Sequence, residues 1–300
     1  MSLNTLSQFK SFYSLYPFLD IASLVDYFLI FGGLEEPIDI DILDSIDSSI
    51  IKSATIQYHT IEKSITPQYL LVAPYSQMLS AIARGDGRRG NIFKRAKVGT
   101  NIGQEVVDRL LDTGIVYLEP SREPSILSHP KHKIKKSLRA YSIEYKIRFH
   151  RPIDRFWFGF IEPYMSMDRV LDLYKFEQNF TKHRDKASYL MFEQLSMVLL
   201  NSSLGSTIES TGSFWDYHSE FDIYTITKSG ERILGECKYI SRAVSKKEYT
   251  KLKEKAQVSG LEIDRYAIFA KSGFSKELLN YAKKDRLILF DIKSFEELLF

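Results

Sequence analysis

The stretch SEFDIYTITKSGERILGECKYI, residues 219–240, places the strongest constraint on the fold. Its apolar and β-branched residues predict two strands, Phe221–Thr227 and Ile233–Tyr239, joined by a turn at Gly230. Three ionisable residues interrupt these strands: Asp222, Glu236 and Lys238. Because a buried unpaired charge is costly, strands beside a core should not carry such residues without a reason.

The surrounding segment, residues 166–300, predicts an α/β layout. A strong helix, KASYLMFEQLSMVLLNSSL, carries Glu193 beside its apolar stripe and precedes the two strands. After them come a basic helix SKKEYTKLKEKAQVSG, a strand RYAIFAKSG, a helix SKELLNYAKKD and a strand LILFDI. The order αββαβαβ predicts a mixed sheet with helices on both faces.

The three ionisable residues are candidates for a catalytic metal site. Glu236 and Lys238 are two apart on one strand and therefore share a face, and Asp222 lies on the strand that pairs with theirs. Carboxylate oxygens suit Mg²⁺ or Mn²⁺, which would polarise a scissile phosphate and lower the pKa of a bound water. Lys238 would hold or help deprotonate that water, and Glu193 could add a carboxylate. The structural alternative is a salt bridge on an exposed sheet face.

Residues 69–150 predict a winged helix-turn-helix. PYSQMLSAIARGDG is a short helix opened by Pro74 and closed by Gly85, and RRGNIFKRAKVG is a second. TNIGQEVVDRLLDTG is a third, with Thr100 or Asn101 as N-cap and Gly114 as its stop. The strands IVYLEP and LRAYSIEYKIRF follow, separated by a polar loop. Such a module places its third helix in the DNA major groove and its loop beside the backbone.

The excess of positive charge in residues 69–150 favours a polyanion as the partner of this segment. Residues 69–150 hold 15 Lys/Arg against 7 Asp/Glu, whereas residues 1–68 hold 3 against 9 and residues 151–300 hold 23 against 22. The candidate DNA contacts are Arg88, Arg89, Lys94, Arg95, Lys97, Asn101, Gln104, Lys131, Lys133, Lys135 and Lys136. Phosphate contacts of this kind should weaken steeply with salt. A solvated basic loop, or a winged helix that serves as a spacer or protein contact, is the alternative.

Two further segments carry no predicted chemistry. Residues 1–68 predict a helical, acidic N-terminal segment with a helix ending at Gly32 and Gly33. Residues 151–165 form an aromatic connector, RPIDRFWFGFIEPYM, whose aromatic side chains predict a core between domains.

Composition limits the class of protein. A hydrophobic content of 44% with 26% charged residues is typical of a globular chain. The longest apolar runs are too short to span a bilayer, and we expect no membrane partner. The single cysteine, Cys237, excludes an internal disulfide framework and favours a cytoplasmic protein; between Glu236 and Lys238 it should point to the opposite face as a buried thiol.

At Asp222, Glu236-Cys237-Lys238 and Glu193 the sequence resembles the PD-(D/E)xK nuclease superfamily. YSQMLSAIARGDGRRGNIFKRAKVG, RFWFGFIEPY and FDIYTITKSGERILGECKY, in this order, resemble the C-terminal part of archaeal-type P-loop ATPases. The resemblance implies a winged helix followed by a restriction-endonuclease-like domain of αβββαβ type, with Asp222, Glu236 and Glu193 as metal ligands. No G-x-x-x-x-G-K-[ST] phosphate loop occurs in the chain, so ATP hydrolysis is not expected.

These features predict a metal-dependent DNA endonuclease-like protein that uses Mg²⁺ or Mn²⁺. Two other hypotheses stay open. One is a DNA-binding regulator in which the nuclease fold serves only for binding or as a homodimer platform. The other is a subunit that lends this module to a separate P-loop ATPase.

Overall fold

The computed structural model describes residues 2–123, 143–216, 218–283 and 285–300. Within them the chain is a mixed α/β protein, with a helical N-terminal part followed by a sheet-rich C-terminal region. No helix in these ranges is both long and apolar enough to cross a bilayer.

The N-terminal segment is helical, as predicted. Its helices are α1 (Ser2–Leu15), α2 (Ile21–Phe31) and α3 (Ile46–Lys63). The carboxylate of Asp20 caps α2 by accepting from the backbone N–H groups of Ala22 and Ser23, and the helix ends at Gly32. Every residue from 24 to 31 is buried, since this stretch is apolar except for Asp26 and lies inside the largest core.

Three helices and a two-stranded sheet follow. The helices are α4 (Tyr75–Arg84), α5 (Arg89–Ala96) and α6 (Thr100–Asp112). The strands β1 (Val116–Glu119) and β2 (Lys146–Phe149) pair antiparallel. The predicted N-cap of α6 is wrong: Gly99 occupies that position and no side chain caps the helix. Lys131, Lys133, Lys135 and Lys136 lie outside the described residues.

The aromatic connector is part of the core, as predicted. It begins with α7 (Pro152–Phe156) and continues as irregular helical turns over residues 157–164. Phe156 packs edge-on against Phe31 of α2 and Phe180 of the next long helix. The connector therefore joins the N-terminal helices to the C-terminal region through buried rings.

The C-terminal region contains a five-stranded mixed sheet in the order β3-β4-β5-β6-β7. Its elements are α8 (Leu173–Leu204), β3 (Ile208–Trp215), β4 (Glu220–Thr227), β5 (Arg232–Lys238), α9 (Lys246–Val258), β6 (Arg265–Ala270), α10 (Lys276–Ala282) and β7 (Leu287–Asp291). Strands β3 to β5 pair antiparallel and β5 to β7 pair parallel. The predicted αββαβαβ order omits β3, so that part of the prediction is wrong.

Helices cover both faces of this sheet, as predicted. Ile223, Ile233 and Cys237 belong to the core that includes α8. On the other face, Tyr224 and Leu234 pack with Leu252 of α9. Side chains of β5 therefore alternate between the two helical layers.

Candidate functional site

The site begins where β4 and β5 approach each other closely. Ile223 pairs with Gly235, and a Cβ atom on Gly235 would lie 2.9 Å from the Cβ of Ile223. Only a glycine fits this contact without a shift of the strands. Asp222 and Glu236 are the next residues on the two strands, so the close approach brings two acidic residues to adjacent strand positions.

A β-bulge sets the direction of Asp222. Between the register pairs Gly212–Tyr224 and Phe214–Phe221, β4 contains one residue more than β3. Such a bulge re-aims a side chain, a device common beside active sites. The Oδ2 atom of Asp222 accepts a hydrogen bond from the backbone N–H of Cys237 at 2.7 Å and one from the hydroxyl of Tyr189 at 3.3 Å.

Glu236 and Lys238 form an ion pair on β5. The Nζ atom of Lys238 lies 2.5 Å from Oε1 of Glu236, and the two side chains are 22% and 19% exposed. Burial acts to lower the pKa of Lys238, but the charges of Glu236 and Asp222 outweigh it and raise that pKa. Lys238 is therefore a firmly charged group at an accessible edge.

The acidic side chains destabilise one another's charges. Burial and the neighbouring charge of Glu236 raise the pKa of Asp222 to about 7. Burial, followed by the charge of Asp222, raises the pKa of Glu193 well above its ordinary value. Glu193 makes no side-chain hydrogen bond or ion pair with any residue that the structure describes. Three carboxyl groups thus lie in one region, where the charges of Arg148, Lys238 and Lys255 only partly offset burial and mutual repulsion.

The donor chemistry of this region fits a hard divalent cation. Mg²⁺ is usually held by one or two carboxylates and retains several waters, and Asp222 and Glu236 offer such a pair from neighbouring strands. Across the described ranges, however, no group of three His, Cys, Asp or Glu side chains is close enough to hold one ion. Glu193 is consequently a neighbour of the Asp222–Glu236 pair rather than a third ligand in this conformation.

Cys237 is a buried free thiol on the opposite face, as predicted. Burial raises the pKa of this thiol well above its ordinary value. A nucleophilic cysteine needs a lowered pKa and access to solvent, so Cys237 has the properties of a core residue.

The two-stranded sheet is attached directly to the site. Lys146 of β2 is 1% exposed; its ammonium forms an ion pair with Glu220 and lies 4.3 Å from the ring centroid of Trp215. Arg148, also on β2, donates to Glu119 at 2.8 Å. Because Glu220 is two residues from Asp222, β2 and the site strand β4 are joined by an ion pair whose lysine is buried and whose glutamate is half exposed.

The predicted DNA contacts on α5 and α6 remain on the surface, and several have partners within the chain. Arg89, Lys94, Arg95, Lys97 and Asn101 are exposed, and Arg88 and Gln104 are half-buried. Arg89 donates to the side chain of Gln104 at 3.1 Å. Lys94 and Lys97 make no ion pair with a described residue.

Sequence reasoning missed three residues of the site. Tyr189 lies four residues before Glu193 on α8 and so shares its face, a spacing that could have identified it. Lys255 of α9 donates to the backbone carbonyl of Glu220 and lies 4.5 Å from the ring of Phe221. Arg155 of the connector reaches the site region only through the tertiary fold, and no local pattern predicts it.

Residues 157–252 match a family described as archaeal and bacterial proteins of unknown function, DUF234. The matched segment contains Glu193, Asp222, Glu236 and Lys238. No curated protein and no solved structure matches the chain significantly.

Proposed function

We propose that this protein is a metal-dependent nuclease of the PD-(D/E)xK type that binds DNA through a winged helix. The carrying observation is the group of acids near the β4–β5 edge, where Asp222 lies beside the Glu236–Lys238 ion pair and Glu193 is a neighbour on α8. Neighbouring carboxyl groups with raised pKa values, as at Asp222 and Glu193, are typical of sites that bind a cation or perform acid–base chemistry. The order of α8, β3, β4, β5 and α9 agrees with the αβββα part of that fold.

The roles follow from position. Asp222 and Glu236 would hold Mg²⁺ or Mn²⁺, and the bound ion would polarise the scissile phosphate and lower the pKa of a water. Lys238, held by Glu236, would orient that water and offset negative charge that develops on the phosphate. Tyr189 would keep the Asp222 carboxylate in place through its hydroxyl. Glu193, which has no hydrogen-bond or ion-pair partner among the described residues, would be available to a second water.

The winged helix would hold the DNA substrate. The exposed cations of α5 and the third helix α6 lie in one module, and β2 of that module is joined to β4 by the Lys146–Glu220 ion pair. A DNA molecule bound through its phosphates would therefore be carried at a fixed distance from Asp222.

One observation favours a second candidate, the DNA-binding regulator. In the described ranges no three potential ligands converge on one ion position, and Lys238 is engaged by Glu236. A protein that kept the nuclease fold only for binding would tolerate this arrangement.

A cleavage assay separates the two candidates. Supercoiled plasmid and single-stranded and branched oligonucleotides would be incubated with Mg²⁺, Mn²⁺ or chelator, using wild type, Glu236→Gln and Lys238→Met. The matched control is Glu254→Gln, an exposed acid on α9. We expect metal-dependent cutting that is lost in both site variants and kept in the control. Salt-sensitive DNA binding without cutting by any protein would support the regulator.

A further inference from the structure

A pocket of about 570 Å³ lies between the winged-helix region and the candidate site. Its walls come from the end of α4, from Arg95 of α5, from the connector residues Gly159 and Phe160, and from α8. Glu193 and Tyr189 line it, and the hydroxyl of Tyr189 reaches Asp222. The pocket therefore includes Glu193 and, through Tyr189, lies one hydrogen bond away from Asp222.

Four cations line the pocket: Arg84, Arg95, Arg155 and Lys186. None of them forms an ion pair with a residue that the structure describes. Of the four acids in the lining, Asp86 pairs with Arg88 and Glu220 pairs with Lys146, whereas Asp185 and Glu193 remain as acids of the pocket wall. Burial and the charges of Lys186, Lys182 and Arg84 lower the pKa of His183, another lining residue.

Arg155 is the most informative of these cations. It is 8% exposed, and its guanidinium donates to the backbone carbonyls of Ala187 at 2.7 Å and Lys186 at 2.8 Å. Burial, followed by the charge of Arg148, lowers the pKa of Arg155 to about 10. The charge of Glu193 also acts on Arg155, but the hydrogen bonds of this buried guanidinium go to neutral oxygens, so it retains charge that an anion could neutralise.

Size and lining restrict the anion. A pocket of this volume is in the range that holds a drug-sized molecule, whereas a DNA duplex is about 20 Å wide, far too broad to enter it. Phe160, Leu190 and Ala83 give it an apolar wall beside the cations. An unpaired nucleotide combines these properties, because a base can lie on apolar side chains while its phosphate meets arginine and lysine.

We infer that this pocket binds one unpaired nucleotide next to the scissile phosphate, and that the substrate is DNA with a single-stranded end or flap. The inference rests on the proposed function, since it names the substrate class of the same site. The winged helix would hold the duplex part, and the strand that leaves the duplex would enter between α5 and α8.

The test is a comparison of binding in chelator, where no cutting occurs. The probes are a fluorescein-labelled dT10 oligonucleotide and a blunt 12-base-pair hairpin, measured by fluorescence anisotropy at fixed salt. The pocket variant is the double charge reversal Arg84→Glu/Lys186→Glu. Its matched control, Lys63→Glu/Lys228→Glu, changes the net charge equally at exposed positions outside the pocket.

We expect the pocket variant to weaken dT10 binding about tenfold while hairpin binding changes less than about twofold. The control should change neither by more than about twofold. Unchanged dT10 affinity, or an equal loss for both probes, overturns the inference while leaving a winged-helix nuclease possible. Selective loss of dT10 binding in a protein that never cuts DNA supports the inference and contradicts the proposed catalysis. Failure of wild type to bind either probe overturns both.

Discussion

Two polar clusters meet at the end of β5 and differ in the balance of their charges. One contains Lys238, the last residue of the strand, and the other contains Tyr239, the next residue. The Asp26 cluster consists of Asp26, Tyr239 and Lys271; the ammonium of Lys271 lies 2.8 and 2.9 Å from the two carboxylate oxygens of Asp26, and the Tyr239 hydroxyl donates to one of them. The Asp222 cluster consists of Asp222, Glu236, Glu193 and Lys238; Lys238 pairs with Glu236, whereas burial and neighbouring acids raise the pKa values of Asp222 and Glu193.

This difference in charge balance distinguishes a structural cluster from a candidate functional site. The Asp26 cluster ties α2 to the ends of β5 and β6 with its charges matched, as a structural ion pair requires. The Asp222 cluster keeps carboxyl groups together although nearby cations only partly offset burial and repulsion, which lowers stability unless something else is bound. The same substitution, aspartate to asparagine, should therefore have opposite effects in the two clusters.

The largest effect is expected for Asp26→Asn. Asp26 is 6% exposed, and its loss of charge leaves Lys271 in a partly buried position without its counterion. The free energy of unfolding should fall by about 3 kcal/mol, as measured by urea denaturation. Asp168→Asn, at an exposed acid, is the control and should leave the midpoint unchanged.

Asp222→Asn should instead stabilise the protein when chelator is present. Removing this charge relieves repulsion with Glu236 and Glu193, and the amide oxygen can still accept from Cys237. The free energy of unfolding at pH 8 should rise by about 2 kcal/mol, because a carboxyl with a raised pKa costs stability when it is ionised. Destabilisation comparable to that of Asp26→Asn would mean that Asp222 is an ordinary structural residue.

The pH dependence sharpens this comparison. The pKa of Asp222 is raised to about 7 in the folded protein, so the folded state binds this proton more tightly than the unfolded state does. Stability of wild type should rise as the pH falls through 7, and the gain should level off near the ordinary pKa of about 4. In chelator, the advantage of Asp222→Asn should shrink to less than about 0.5 kcal/mol at pH 5. A constant difference from pH 8 to pH 5 would contradict the raised pKa.

The smallest effect is expected for Lys238→Met. This change removes the cation that partly neutralises the acids, and the pair is largely shielded from water. Stability in chelator should fall by about 1 kcal/mol, which is the upper end for a partly exposed ion pair. Lys52→Met breaks a comparably short pair with Asp41 in an exposed position and should show no measurable change in thermal midpoint.

Much of this arrangement could be predicted from local patterns. Pro74 and Gly85 lie at the two ends of α4, and Gly32 ends α2. Gly230, at φ +83°, forms the turn between β4 and β5. Proline and glycine interrupt regular structure largely independently of their surroundings, so the sequence alone indicates these boundaries. The spacing of Glu236 and Lys238 alone places them on one face.

The rest depends on tertiary structure. Strand β3 reads IESTGSFW, which lacks apolar alternation and contains Gly212; it forms because β4 offers an edge with which to pair. The bulge that aims Asp222 has no signature in the residues themselves. Arg155 meets Ala187, and Lys146 meets Glu220, only through folding, and buried cations are not expected from sequence.

The most direct measurement is the binding of Mn²⁺, followed by electron paramagnetic resonance of the free ion. If the unmatched acids form a cation site, wild type should bind one Mn²⁺ per chain, Asp222→Asn and Glu236→Gln should lose it, and Asp26→Asn should keep it wherever it remains folded. Equal Mn²⁺ binding by wild type and Asp222→Asn, or no binding by any of them, would contradict the proposed site.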